Sequence, residues 1–215
     1  MKIYFFPGLG ADSRLAPFHV LPGLEAHWVN WPEHFGNTWD EFINEIMNEN
    51  KIESNSYFAG ISFGGSVAQR VGQIVKPKRI FLISSFPKTR FISPILRFFF
   101  KFVKFIPGFL FKISFFPKMI IRYFFGITKP DNLDLFIRMT NSLSGQRTKH
   151  LVCLALSEPN FSAEELPIFR IHGTNDKIIP PRGQAIDYWI KDGGHLISMT
   201  HSQIINDEII KQTKE

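Results

Sequence analysis

The chain has 215 residues, of which 44% are apolar and 20% are charged, and these ordinary globular proportions exclude a disordered chain and a coiled coil. Its single cysteine, Cys153, excludes an internal disulfide and a cysteine-rich metal site, so we expect a reducing compartment. The net charge of +6 is unevenly distributed, because 13 of the 25 basic residues and none of the 19 acidic residues lie in residues 54–130.

The predicted elements alternate short apolar strands with amphipathic helices, a pattern typical of βαβ units around a parallel sheet. In the first part of the chain we predict strands at residues 3–6, 27–31, 56–61 and 79–84, and helices at 39–50 and 64–75. Thr38 and Glu41 have the spacing of a capping box at the start of the first helix. The alternation resumes later with strands at residues 167–173 and 185–190 and a helix at 201–211.

Between these two parts, residues 86–165 have a helical pattern that is broken by proline and glycine. We predict helices at residues 93–106, 131–143 and 146–157. The fold class that follows is α/β, with three layers, about six mostly parallel strands and an inserted helical cap. Residues 1–85 and 166–215 would form the core, and residues 86–165 would form the cap.

The cap is rich in phenylalanine and in basic residues, with twelve Phe and six Lys or Arg in residues 91–125. In a helix over residues 93–106, Arg97, Lys101 and Lys104 share one face. The apolar residues Ile95, Phe99, Phe102 and Ile106 occupy another. Two interpretations stay open. The Phe face could pack on the core and line an acyl pocket, or the cap could lie on an anionic membrane surface. Nucleic acid is not an expected partner, since Phe at helical spacing is more often core than a stacking platform.

Neither a membrane span nor a targeting segment is predicted. A Lys, Arg or Pro interrupts every apolar run well before the roughly 20 residues that a spanning helix needs. At the N-terminus only four apolar residues separate Lys2 from Pro7, fewer than a signal peptide requires. We therefore expect a cytoplasmic protein.

Residues 60–64, Gly-Ile-Ser-Phe-Gly, fit the pattern Gly-x-Ser-x-Gly between a predicted strand and a predicted helix. In this context the pattern predicts a sharp turn that lifts the hydroxyl of Ser62 above the sheet. The turn requires small residues two positions before and two positions after Ser62, because larger side chains would collide there. Gly60 and Gly64 meet this requirement. The start of the following helix would supply backbone N–H groups to a developing oxyanion.

With this motif the sequence resembles the α/β-hydrolase superfamily, and the resemblance covers nearly the whole chain. The family's triad runs in the order serine, acid, histidine. The resemblance implies that Ser62 is the nucleophile, Asp176 the acid and His195 the base. His201 stays in reserve as the base, whereas His172 lies too near the acid loop. The family's alternative acid position, after the preceding strand, falls in the tract without acidic residues.

Residues 7–10, Pro-Gly-Leu-Gly, stand where the family carries a His-Gly motif whose next backbone N–H serves the oxyanion hole. The resemblance implies that Leu9 and Phe63 donate the two oxyanion hydrogen bonds. Pro7 departs from the family by replacing the histidine, which removes one support of this loop. Because the loop comes so early, we expect about six strands rather than the family's eight.

The resemblance implies a serine hydrolase that cleaves a carboxylic ester or thioester with an apolar acyl part through a covalent acyl-enzyme. Ser62 argues against haloalkane dehalogenases and epoxide hydrolases, which use aspartate as the nucleophile. No cofactor and no metal ion is expected, because the glycine motif of a dinucleotide site and paired His-Glu motifs are missing. The alternative, suggested by Pro7, is a catalytically silent relative that binds an apolar ligand, a partner or an anionic lipid surface.

Overall fold

The structure is a computed structural model that describes residues 1–15, 21–85, 93, 94, 98, 102–110, 112, 113, 116–157, 165–181, 183 and 185–214. The strands in this part of the chain are β1 (Lys2–Phe6), β2 (Glu25–Trp28), β3 (Tyr57–Ile61), β4 (Arg79–Ile83), β5 (Ile168–Gly173) and β6 (Tyr188–Ile190). Its α-helices are α1 (Trp39–Glu49), α2 (Phe63–Val75), α3 (Lys118–Phe125), α4 (Pro130–Asn141), α5 (Gly145–Leu156), α6 (Ile197–Thr200) and α7 (Ser202–Gln212). Short 3-10 helices span Ser13–Leu15, Val103–Phe105 and Gly108–Leu110.

The six strands form one sheet in the order β2-β1-β3-β4-β5-β6, and every neighbouring pair is parallel. Parallel neighbours need crossover connections, and helices supply most of them. In such a sheet the carboxyl ends of all strands lie at one edge, where the loops that follow β1, β3, β5 and β6 can meet. The predicted α/β fold with about six mostly parallel strands is therefore confirmed.

Both faces of the sheet are covered, which explains the unbroken apolar runs of its central strands. In β1, Ile3 and Phe5 belong to one buried cluster, and Tyr4 and Phe6 belong to the other. Apolar side chains of α1, α2 and α5 pack in the second cluster, while α3, α4 and α7 contribute to the first. The three layers thus follow from the period-2 alternation of the strands and the apolar stripes of the helices.

The start of α1 shows the capping box that the sequence predicts. The side chain of Thr38 accepts a hydrogen bond from the N–H of Glu41 at 3.3 Å, and the Glu41 carboxylate accepts one from the N–H of Thr38 at 3.0 Å. The hydrogen bonds from Thr38 lower the pKa of Glu41. The helix therefore begins where two otherwise free backbone donors find acceptors.

The elements between β4 and β5 agree with the sequence in part. Helices α4 and α5 match the predictions at residues 131–143 and 146–157 within two residues. Six of the fourteen residues of the predicted helix at residues 93–106, including Arg97 and Lys101, lie outside the described residues. Its end is a 3-10 helix, Val103–Phe105, because the residue before Pro107 must be extended, and Ile106 has φ −81° and ψ 127°.

The division into a core of residues 1–85 and 166–215 and a cap of residues 86–165 stays a prediction. Three α-helices, α3 to α5, do lie between the adjacent strands β4 and β5. Within the described residues, no helix combines the length and the apolar character that crossing a membrane requires.

Candidate active site

Ser62 occupies the tight turn between β3 and α2 in a conformation that L-residues rarely adopt, with φ 52° and ψ −119°. Such a conformation costs on the order of 1–3 kcal/mol and persists only where its surroundings enforce it. Here the N–H of Ser62 donates to the carbonyl of Ile83 at 3.0 Å, while its carbonyl accepts from the N–H of Gly65 at 3.0 Å. The hydroxyl of Ser85 donates to the same carbonyl at 2.5 Å. The turn is thus fixed by the neighbouring strand and by the first turn of α2.

The glycines around Ser62 leave no space for a side chain. A Cβ at Gly60 would lie 2.8 Å from the carbonyl oxygen of Gly64, and one at Gly64 would collide with the carbonyl oxygens of Phe6 and Pro7. A Cβ at Gly65 would strike Ser85. The crowding that the motif predicts at Gly60 and Gly64 is therefore present, and it extends to the following glycine.

The structure brings Ser62, His195 and Asp176 into one chain of hydrogen bonds. The distance from Ser62 Oγ to His195 Nε2 is 2.9 Å, and the distance from His195 Nδ1 to Asp176 Oδ2 is also 2.9 Å. Because a carboxylate only accepts, Nδ1 carries the proton and Nε2 accepts from the serine hydroxyl. His195 is 3% exposed and Asp176 is 4% exposed, whereas Ser62 remains partly exposed. Of the three hydrogen-bonded side chains, only Ser62 is thus open to a ligand.

Asp176 lies in the loop after β5, and four nitrogen atoms surround its carboxylate. Its Oδ1 accepts from the N–H groups of Ile178 and Ile179, both at 2.9 Å, and its Oδ2 bonds His195. His172 Nε2 lies 3.2 Å from the same Oδ2. Burial alone would raise the pKa of Asp176, but the charge of His195 and the hydrogen bonds from His172 and His195 outweigh it and lower the pKa. The carboxylate therefore stays ionised beside His195.

The contact of His172 with Asp176 is a feature that the sequence did not predict. His172 is 1% exposed at the end of β5, and its Nε2 also lies 2.9 Å from the carbonyl oxygen of Ile179. A protonated Nε2 would be shared between these two acceptors. His172, considered in the sequence only as a rival base, thus contacts the acid rather than the serine.

His195 lies in the loop after β6, and helix α3 supports this loop. The N–H of Leu196 donates to the carbonyl of Phe125 at 3.1 Å, and the ring centroids of Phe125 and His195 are 5.9 Å apart. Gly194 packs so closely on Gly126 that a Cβ on either would lie within 2.6 Å of the other backbone. The position of the imidazole therefore depends on the C-terminal end of α3.

His201, held in reserve as the base, has a different partner. It precedes α7, and its Nδ1 lies 2.8 Å from the hydroxyl of Thr200. The structure thus gives the hydrogen bond to Ser62 to His195 and not to this histidine.

The two predicted oxyanion donors belong to the two backbone segments that meet at Ser62. A Cβ at Gly8 would lie 3.5 Å from the Cβ of Ser62, so the loop after β1 touches the serine directly. Phe63 is the first residue of α2. Within the described residues, the N–H groups of Leu9 and Phe63 donate to no other protein group. The assignment of these two N–H groups to an oxyanion hole stays a prediction.

Two serines, Ser84 and Ser85, follow β4, where the family's alternative acid would stand. Ser84 has φ 47° and Ser85 holds the carbonyl of Ser62 through its hydroxyl. Their side chains could not be assigned a role from the sequence, because the contact links residues that are distant in the chain. Among the described residues, no group of three or more His, Cys, Asp or Glu side chains could hold a metal ion.

Comparisons with known proteins agree on the fold. No family model matches the sequence, and no curated protein matches it. A bromoperoxidase from Bacillus anthracis superposes with a TM-score of 0.74 at 17% identity, over 100% of this chain and 92% of that protein.

Two further solved structures show the same likeness. A thermophilic esterase from Thermogutta terrifontis, with malate bound, has a TM-score of 0.72 at 15% identity, over 100% of this chain and 89% of the esterase. A meta-cleavage product hydrolase from Pseudomonas fluorescens IP01 has a TM-score of 0.64 at 15% identity, over 98% and 88% of the two chains. The chain thus has the α/β-hydrolase fold that the sequence predicted.

Proposed function

We propose that this chain, given its α/β-hydrolase fold, is a serine hydrolase that cleaves carboxylic esters or thioesters with an apolar acyl part. The observation that carries the proposal is the unbroken hydrogen-bond chain from Ser62 through His195 to Asp176, with two 2.9 Å links. It starts at a partly exposed hydroxyl on a strained turn, which is the geometry of an activated nucleophile. The esterase among the solved structures similar to this chain is consistent with this assignment.

The reaction proposed for Ser62 has two halves. In the first, Ser62 Oγ attacks the acyl carbon while His195 Nε2 takes the hydroxyl proton, and the N–H groups of Leu9 and Phe63 stabilise the oxyanion. The bond to the leaving alcohol or thiol then breaks, and His195 gives that group its proton. In the second half a water molecule attacks the acyl carbon while His195 Nε2 takes its proton. The bond from the acyl carbon to Ser62 Oγ then breaks, His195 returns the proton to Oγ, and the carboxylic acid leaves.

In this mechanism Asp176 keeps Nδ1 of His195 protonated and stabilises the imidazolium that forms. Its lowered pKa matches that task, since a carboxylate that stays ionised attracts the imidazolium. The proposed substrate is a small molecule with an apolar acyl chain, and the proposed compartment is the cytoplasm.

The experiment that tests the proposal is covalent labelling with a fluorophosphonate, with the adduct located by mass spectrometry. We expect a single adduct on Ser62 in the folded protein and none after Ser62→Ala. The His195→Ala variant should label far more slowly, because its serine has lost its base. If His195→Ala is labelled rapidly and His201→Ala is no longer labelled, the choice of His195 as the base is wrong.

The second candidate function is a silent relative that binds an apolar ligand, which Pro7 in place of the family's histidine suggests. The same experiment separates the two functions, since a silent relative would give no adduct on Ser62 while remaining folded. A panel of esters that varies in acyl length and leaving group would then identify the substrate class. We expect a preference for medium or long acyl chains.

A further inference from the structure

An exposed apolar surface covers part of the chain between β4 and α4. Within the described residues, nine of the thirteen large apolar side chains that are exposed fall in residues 98–123. We call these nine the apolar surface: Phe98, Phe102, Phe105, Phe109, Leu110, Phe116, Met119, Ile120 and Tyr123. Met119 is 78% exposed, Phe105 is 72% exposed and Phe109 is 70% exposed. A concentration of this kind on one segment marks an interaction site rather than ordinary scatter.

The apolar surface is not a core that failed to close. The same segment buries Val103 and Ile121, at 3% and 2% exposure, so its inward positions are already filled. In α3 the buried Ile121 joins the cluster on the sheet, while Met119, Ile120 and Tyr123 stand exposed on the rest of the helix. The segment thus has filled inward positions as well as outward positions that stay exposed to solvent.

The segment that carries the apolar surface has charges of one sign. Residues 54–130 contain 13 basic residues and no acidic residue, so no carboxylate of this segment repels an anion. Lys118 and Arg122 stand exposed on α3 among the apolar side chains. Lys118 contacts Asp134 of α4 at 2.9 Å, but the Lys118 side chain remains 67% exposed. Exposed aromatics beside Lys and Arg are the composition of helices that lie at the headgroup level of a bilayer.

The apolar surface is also continuous with the candidate active site through one helix. Helix α3 carries Met119 and Tyr123, and its last residue, Phe125, contacts the ring of His195. Lys177, one residue after Asp176, places its Nζ 3.4 Å from the centre of the Tyr123 ring. A ligand or membrane bound at α3 would thus lie beside the loops that carry His195 and Asp176.

From these observations we propose that the apolar surface rests on a bilayer containing anionic lipids. The apolar side chains enter the boundary between headgroups and acyl chains, and the basic residues contact the lipid phosphates. This inference goes beyond the proposed function and does not depend on hydrolysis, since binding is measured without any substrate.

Sedimentation with vesicles tests the proposal on the full chain. We expect binding to vesicles of equal parts phosphatidylglycerol and phosphatidylcholine, and little binding to phosphatidylcholine alone. Raising the ionic strength from about 0.1 M to about 1 M shortens the Debye length from about 10 Å to about 3 Å and should release the protein. The double variant Phe105→Gln/Phe109→Gln should bind on the order of tenfold more weakly.

The chain offers matched controls for both kinds of contact. Ile74→Gln/Ile204→Gln removes two apolar side chains that are 59% and 43% exposed elsewhere, and it should bind like the wild type. Lys118→Gln should weaken binding about fivefold. Lys211→Gln alters a lysine that is 66% exposed and also paired with a carboxylate, and it should change nothing.

Several outcomes would overturn the proposal. They are the absence of binding to anionic vesicles, binding that does not respond to salt, and equal losses in the test and control variants. A dimer in light scattering that dissociates in Phe105→Gln/Phe109→Gln, without vesicle binding, would instead assign the surface to a second copy of this chain. All variants should retain fluorophosphonate labelling of Ser62, so failure here is distinguishable from failure of the proposed function.

Discussion

At the scale of single residues, the conformation of Ser62 is a strained feature of the candidate site. Its φ of 52° is stabilised from outside by the carbonyl of Ile83, the N–H of Gly65 and the hydroxyl of Ser85. The same contacts direct the hydroxyl toward His195. Strain and orientation are therefore two effects of one arrangement, and the fold sacrifices stability to obtain the orientation.

The strain on Ser62 predicts an unusual order of stability among its variants. The free energy of unfolding of Ser62→Gly, measured by urea denaturation, should exceed that of Ser62→Ala by about 1 kcal/mol. Glycine relieves the positive φ, and this gain outweighs its greater chain entropy. Both variants should be inactive. At Ser66, inside α2, the order should reverse, with alanine about 1 kcal/mol more stable than glycine. The same order at both positions would contradict a strained turn.

Asp176 predicts a pH dependence of stability. Since its folded pKa lies below the usual aspartate value, its carboxylate stabilises the fold fully above about pH 4 and loses this effect as the pH falls through the lowered pKa. The free energy of unfolding that Asp176→Asn removes should therefore be larger at about pH 5 than at about pH 3, by on the order of 1 kcal/mol or more. Turnover should fall about 10⁴-fold at neutral pH.

A matched variant checks this pH effect. Asp207→Asn changes an exposed aspartate of α7, whose carboxylate bonds only Gln203 of the same helix in the described structure. Its effect on unfolding should be small at both pH values. If urea denaturation shows the same pH dependence for both variants, the dependence does not come from the buried network of Asp176.

At the scale of secondary structure, the capping box of α1 makes a prediction that is independent of catalysis. Thr38→Ala should lower the free energy of unfolding by about 1 kcal/mol, because the N–H of Glu41 loses its acceptor. Glu41→Gln should be tolerated, since a glutamine amide can still accept from the N–H of Thr38. Thermal unfolding measures both effects, and fluorophosphonate labelling should be unaffected. A change in labelling would mean that α1 influences the site.

Helix α3 connects the candidate active site with the apolar surface. Its C-terminal residue supports the loop of His195, and its exposed side chains form part of the apolar surface. Gly126, in the left-handed region at φ 69°, ends the helix and allows the close approach to Gly194. A shift of α3 on membrane binding would therefore displace the imidazole of His195.

At the scale of the whole molecule, the features predicted correctly are those with local signals. The capping box of Thr38, the alternation of strands and helices, and the crowded turn around Ser62 each depend on residues within a few positions of one another. Strand ends were less accurate. The last strand begins at Tyr188 rather than at residue 185, because it is a short edge strand with Trp189 46% exposed and a weak burial pattern.

The contacts that could not be predicted join distant parts of the chain. Nothing near Ser85 in the sequence indicates that its hydroxyl holds the carbonyl of Ser62. The contact of His172 with Asp176 requires the loop after β5 to fold back on its own strand. Likewise, the exposure of Phe105 could not be predicted, since a helical pattern does not say which apolar face remains uncovered.

The pairing of β4 with β5 across all of α3, α4 and α5 has a consequence for synthesis of the protein. A chain growing from its N-terminus at about 5–20 residues per second completes β1, β3 and the Ser62 turn well before β5 exists. Until β5 and β6 emerge, Ser62 has no His195 to bond. The strand that holds its turn, β4, also lacks its pairing with β5, in which Ile83 lies opposite Ile171. The nucleophile proposed above therefore gains its base only after His195, 133 residues further along the chain, has been synthesised.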